Sequence, residues 1–165
     1  MFKDIRIALI FSVVLLDIIG IGIIFPIIPD LLKEVGIDKN ASAAFWGGLL
    51  SSSYAFMQFV FSPTIGTLSD IFGRRPVLIT ASLLLGIDYL VMGFAETILI
   101  LFIGRIVGGI AGGTIATGTA YLADISDTKD KKKNFAIIGA AFGLGFILGP
   151  IIGGLMGEIS VRAPF

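Results

Sequence analysis

The chain has 165 residues, 56% hydrophobic and 15% charged, with a mean hydropathy of +1.01. Soluble domains run at about 45–50% apolar and roughly 25% charged, so this composition excludes a water-soluble enzyme and belongs to lipid. Twelve basic and twelve acidic residues cancel, and the lack of cysteine and histidine excludes disulfides, thiolate metal sites and the usual side chain titrating near neutrality.

A bilayer core needs about 20 mostly apolar residues per helix, and the apolar runs predict helices over residues 5–28, 43–68, 76–94, 98–122 and 134–156. The runs are too long and do not alternate, which excludes a β-barrel. In the first, Lys3 and Arg6 precede an apolar stretch as in a secretory leader. Asp17 interrupts that stretch, no small-x-small site follows, and apolar residues continue to Ile28. The expectation is an uncleaved membrane helix that ends at Pro29-Asp30.

The loop GIDKNAS offers Asn40 and Ser42 as caps for the second helix. Its NAS triplet fits a glycosylation acceptor, a pattern that chance often supplies. Trp46 stands near one end of the second helix as an interfacial anchor would, and Gln58 is a polar residue within it. Next comes GTLSDIFGRRPV, in which Gly73 and Pro76 suit a turn, with Pro76 in the first turn of the third helix. Only AET joins the third and fourth helices, so these form an antiparallel pair. Small residues in VGGIAGGTIATG, after Arg105, predict close packing of the fourth helix on a neighbour. DISDTKDKKKN reads as a solvated loop that fixes topology, with anionic-lipid recognition as the alternative. In the fifth helix Gly145, Gly149 and Gly153 recur every fourth residue on one face. Pro150 beside them removes a backbone hydrogen bond and is expected to kink the helix.

Lysines and arginines set orientation. Lys3, Arg6, Arg74, Arg75, Lys129, Lys131, Lys132 and Lys133 fall on one side, and Lys33, Lys39 and Arg162 on the other. Eight against three predicts a cytoplasmic N-terminus. No basic face extends beyond the short loops, which excludes nucleic acid as a partner. GGIAGG has no strand before it and is no phosphate loop.

Three charges sit where lipid surrounds the chain. An ionisable group deep in a bilayer costs about 2.5–3.5 kcal/mol on insertion scales and marks an internal cavity or ion path. At about 1.5 Å per residue, Asp17 and Asp88 lie roughly 18 Å along their helices and Arg105 about 10 Å into the fourth. The structural alternative is that Arg105 pairs with one acid and locks the bundle. One arginine cannot neutralise two carboxylates, so an acid is left over as a candidate proton carrier.

These residues resemble a known family. GTLSDIFGRRP is similar to the signature between the second and third helices of the major facilitator superfamily, and GRIVGGIAGG to its fourth-helix arginine motif. GFILGPIIGG, with Gly145, Gly149, Pro150, Gly153 and Gly154, is similar to the fifth-helix motif of drug–proton antiporters. LLDIIGIGIIFPIIP, AFMQF, AYLADISD and GGLMGEISVRAPF together resemble the bacterial tetracycline-efflux group. The resemblance implies an all-α, polytopic transmembrane bundle: five helices of an N-terminal six-helix lobe, with the sixth helix and second lobe beyond residue 165. It implies a proton and substrate path at Asp17, Gln58, Asp88 and Arg105. It also implies a cytoplasmic latch of Gly66, Asp70, Gly73, Arg74, Arg75 and Asp124, in which Arg74 meets Asp124 and Asp70 faces the second lobe. Ile71 departs from the pattern, which usually has a basic residue there.

The implied function is a proton-coupled antiporter of the bacterial inner membrane, not an enzyme, that exports a small amphipathic drug. A tetracycline-like drug carried as a magnesium chelate fits, and no cofactor is expected. Its partners would be membrane lipid, the drug, protons and a C-terminal lobe. In the tetracycline-efflux group further coupling residues, a histidine among them, lie in that lobe. Two alternatives stand beside it: a non-transporting membrane fragment that associates with another lobe, and a carrier of the same superfamily for a different small solute.

Overall fold

The computed structural model describes residues 5–37 and 40–165. Lys3, Lys39 and the expected capping side chain of Asn40 lie outside the described residues. The elements are α1 (Ile5–Glu34), α2 (Asn40–Phe72), α3 (Arg74–Phe94), α4 (Ile98–Ala111), α5 (Thr114–Ile125) and α6 (Lys131–Ile159). The described residues contain no strand. Three spans, α1, α3 and α6, and the α4–α5 pair taken as one are long and apolar enough to cross a bilayer. With 33 residues, or about 50 Å at 1.5 Å per residue, α2 is also long enough. Ser51, Ser52, Ser53 and Gln58 dilute its apolar character.

Two expectations need correction. The first helix does not end at Pro29; α1 continues to Glu34 with Pro26 and Pro29 inside it. The carbonyl that Pro29 cannot serve belongs to Phe25, an exposed residue. Continuing the helix buries Leu31 and Leu32 against Leu50, Met92 and Leu101, a gain that outweighs one lost hydrogen bond. The helix stops where Gly36 takes a positive φ of 91°, open to glycine and strained for other residues. There the Gly36 N–H donates to the Lys33 carbonyl (3.0 Å) and the Ile37 N–H to the Leu32 carbonyl (2.9 Å). That is the paired C-terminal cap known as the Schellman motif.

The second correction concerns residues 98–122, which are not one helix. The span breaks at Gly112-Gly113 because α2 closes on it. The Gly112 N–H donates to the Gly109 carbonyl (3.2 Å) in a tightened turn, and the Gly112 carbonyl accepts from the Gln58 side chain (2.8 Å). A Cβ at residue 112 would stand 2.9 Å from Gln58 Nε2, and one at 113 would stand 2.6 Å from Ile65. Glycine at both positions is what lets α2 lie this close.

The strongest packing joins α1 to α6, and the glycine stripe makes it. A Cβ at Gly145 would lie 2.5 Å from the Ile18 side chain, and one at Gly149 would lie 2.8 Å from the Ile19 carbonyl. At Gly153 it would lie 2.5 Å from the Ile23 carbonyl. Small residues thus bring two backbones into contact. The helix runs unbroken through Pro150. One apolar cluster gathers Ile23 to Leu32 with Leu50, Met92 and Leu101. A second gathers Ile7 to Ile18 with Leu122, Ile138 and Ala141. Large apolar side chains such as Phe59, Leu83, Phe94 and Leu155 point outward, as lipid contact requires. Trp46 packs edge-on against Phe102 of α4 at 6.0 Å, so it joins helices as well as standing near the end of α2.

The stripe gives a direct test. Gly153→Ala drives a Cβ into backbone and is expected to cost about 1–3 kcal/mol. Gly154→Ala, with open space around it, is expected to be neutral or stabilising by up to about 1 kcal/mol. Thermal unfolding of the two variants in detergent micelles checks the difference.

Candidate functional site

At membrane depth α3 and α4 bring Asp88 and Arg105 together. The short connector between them sets the two helices antiparallel, and Thr97 caps α4, its hydroxyl accepting from the Ile100 N–H (3.4 Å). Gly104 and Gly108, one turn apart on α4, leave room for the carboxylate: a Cβ at either would lie 2.9 Å or less from an Asp88 oxygen. Into that space Arg105 donates through Nη2 to Asp88 Oδ2. The pair is almost sealed, with side chains 5% and 1% exposed. It is a one-point contact: Asp88 Oδ1 and Arg105 Nε have no hydrogen-bond partner among the described residues. The guanidinium also lies 5.2 Å from the ring centroid of Tyr54 on α2, within cation–π range.

Asp17 is the acid left over. It is buried on α1, forms no ion pair among the described residues, and accepts a hydrogen bond from the Thr114 hydroxyl. Two cavities border these charges. One of about 360 Å³ lies between α1 and α3 and touches Asp17, Gly20, Ser82, Tyr89 and Thr114. The other, about 290 Å³, is lined by Ile24, Ser51, Tyr54, Gln58 and Arg105. Gln58 thus reaches both the second cavity and the break in the fourth span.

At one end of the bundle, Arg74 joins three groups. Its Nε lies 2.9 Å from Asp124 and its Nη2 2.5 Å from Asp70, while Nη1 donates to Ser69 Oγ (2.6 Å). Ser69 in turn donates to the Gly66 carbonyl (2.6 Å). Gly73, with a positive φ of 93°, makes the turn that presents Arg74. The loop between α2 and α3 is therefore clasped to the end of α5. Asp70 is held by Arg74 yet remains 61% exposed, and Arg75 is exposed beside it.

The fifth-helix motif divides. Gly145, Gly149 and Gly153 contact α1, Pro150 abuts Gly22, and Gly154 faces open space. The sequence reasoning missed Thr114, Tyr54 and Arg162. Arg162 bonds Glu34 (2.8 Å) and the Gly93 carbonyl (3.0 Å), joining α1 and α3 at the end opposite Arg74. Its signal was present in the placement of Glu34 and Arg162 at helix ends, though not in their separation along the chain.

Removing one member of a buried pair strands the other. Asp88→Ala is expected to cost about 3–5 kcal/mol, and Asp88→Asn combined with Arg105→Gln to recover most of it. Denaturant unfolding in micelles measures both.

A family model described as Major Facilitator Superfamily matches residues 10–165. The tetracycline resistance protein, class C, of Escherichia coli is 45% identical over 94% of this chain and 39% of its own length. The class H protein of Pasteurella multocida is 43% identical over 96% and 39%. The quinolone resistance protein NorA of Staphylococcus aureus is 34% identical over 92% and 38%. The chain spans about 39% of the length of the tetracycline resistance relatives. Among solved structures, the human organic anion transporter MFSD10 (TETRAN) superposes with a TM-score of 0.84 at 26% identity, over 98% of this chain and 44% of that one. With the helical bundle and its membrane spans, these matches place the chain in the Major Facilitator Superfamily as a multi-pass membrane protein.

Proposed function

We propose that the chain is part of a proton-coupled efflux antiporter that moves a small amphipathic drug across the bacterial inner membrane, with the N-terminus in the cytoplasm. The observation that carries this reading is Asp17: a buried carboxylate in a membrane bundle, bordering a cavity, with no cation committed to it among the described residues. A structural acid in such a place would hold the arginine, and the arginine is held by Asp88. Asp17 takes up and releases the coupling proton on a carboxylate oxygen. The one-point Asp88–Arg105 pair keeps Oδ1 and Nε for exchange with a polar or cationic part of the substrate.

Both cavities are mainly apolar with a few polar side chains, which suits an amphipathic molecule. The names of the tetracycline and quinolone resistance relatives support a drug, and a tetracycline as its magnesium chelate is the substrate proposed first. Transporters of this fold rock two lobes about a site near the midplane. Asp70 and Arg75, exposed beside the Arg74 clasp, are suited to meet a second lobe. The preference of lysine and arginine for the Arg74 side supports the orientation, which reporter fusions to the loops would test.

One second reading stands beside it: a membrane unit that binds another lobe without transporting by itself. Everted vesicles separate the two, carrying the chain alone or with the C-terminal part of a tetracycline resistance relative. Drug-dependent proton release is expected with the partner part and to fall to background in Asp17→Asn. Unchanged proton coupling in both Asp17→Asn and Asp88→Asn would remove both acids from the coupling mechanism. Coupling driven by a solute other than a drug would favour a carrier for that solute.

A further inference from the structure

Two polar side chains from other helices meet the break in the fourth span. Gln58 of α2 donates to the last carbonyl before it, on Gly112. Asp17 of α1 accepts from Thr114, the first residue of α5 after it. Thr114 is fully buried, and it borders the same cavity as Asp17. The hydroxyl therefore stands at a fixed point where α1, α5 and the cavity come together.

We propose that Thr114 is the positioning residue for Asp17, holding its carboxylate at the edge of the cavity between α1 and α3 in both protonation states. The inference rests on the reading of Asp17 as the proton-exchanging acid. A hydroxyl donates to a carboxylate and, turned about its C–O bond, accepts from a carboxylic acid. Serine shares that ability; valine and alanine do not. Among the described residues no other group hydrogen-bonds the Asp17 carboxylate. Arg105 is engaged with Asp88. The hydroxyl of Tyr54 from α2 has no hydrogen-bond partner among the described residues, and Tyr89 from α3 lines the same cavity as Asp17 without a hydrogen bond to it. From α6 this stretch of α1 meets Gly145 and Gly149 and the apolar Ile138, Ala141 and Phe142.

The test uses the chain in lipid nanodiscs, with isotope-edited infrared spectra of labelled aspartate recorded across a pH series. The Asp17 band is identified by its loss in Asp17→Asn. Thr114→Val is expected to displace the Asp17 carboxylate band, and Thr114→Ser to return it to the wild-type position. Thr114→Ala repeats the experiment without the branched side chain, should valine disturb folding. A band unmoved in both Val and Ala variants overturns the proposal, as does a displacement that serine fails to reverse. If the Asp17 band does not change with pH in the wild type, the proton-exchange reading fails instead. The band that Asp17 then shows, carboxylate or protonated carboxyl, still decides the positioning contact by the same comparison.

Discussion

A guanidinium buried among membrane helices must have a counter-charge on a neighbouring helix, and Arg105 takes Asp88. Much of the bundle is arranged to let that contact form. The α3–α4 hairpin sets the two residues side by side, and Gly104 and Gly108 keep the facing surface bare of side chains. Tyr54 covers the guanidinium from α2. Once the arginine is spoken for, Asp17 has no cation, and the polar groups around it must come from elsewhere.

They come from the fourth span, which tightens into a turn at Gly112-Gly113. Interrupted at Gly112-Gly113, it offers Gly112 to Gln58 and Thr114 to Asp17. Meanwhile the glycine stripe of α6 holds α1 by its backbone just beyond Asp17, from Ile18 to Ile23. Asp17 is therefore fixed between a backbone contact on one side and a hydroxyl on the other. The two ends of the bundle are tied separately, by Arg74 to Asp70 and Asp124 and by Arg162 to Glu34. Ion pairs that exposed contribute little stability each, so their value lies in registering helices against one another.

Much of this was legible in the residues. Long apolar runs marked the spans, charges within them marked Asp17, Asp88 and Arg105, and the every-fourth-residue glycines marked a packing face. The Arg74–Asp124 contact followed from the family resemblance. Which acid Arg105 would choose was not legible, because composition and spacing carry no information about which helix lies beside which. The break was hidden for a related reason. VGGIAGGTIATG holds several glycines of equal standing, and only the approach of Gln58, Tyr54 and Ile65 from α2 decides which two give way. Thr114 looks like one more small residue until the fold sets it beside Asp17 of α1. Pro29 misled for the opposite reason: a strong local signal was overridden by burial of Leu31 and Leu32.

Arg105 is committed to Asp88 and leaves Asp17 without a cation among the described residues. Solid-state NMR in lipid tests this most directly, by correlating the labelled Arg105 guanidinium with aspartate carboxyl carbons. A single cross-peak that survives in Asp17→Asn and vanishes in Asp88→Asn is the predicted result. A cross-peak that vanishes in Asp17→Asn and survives in Asp88→Asn would contradict the account.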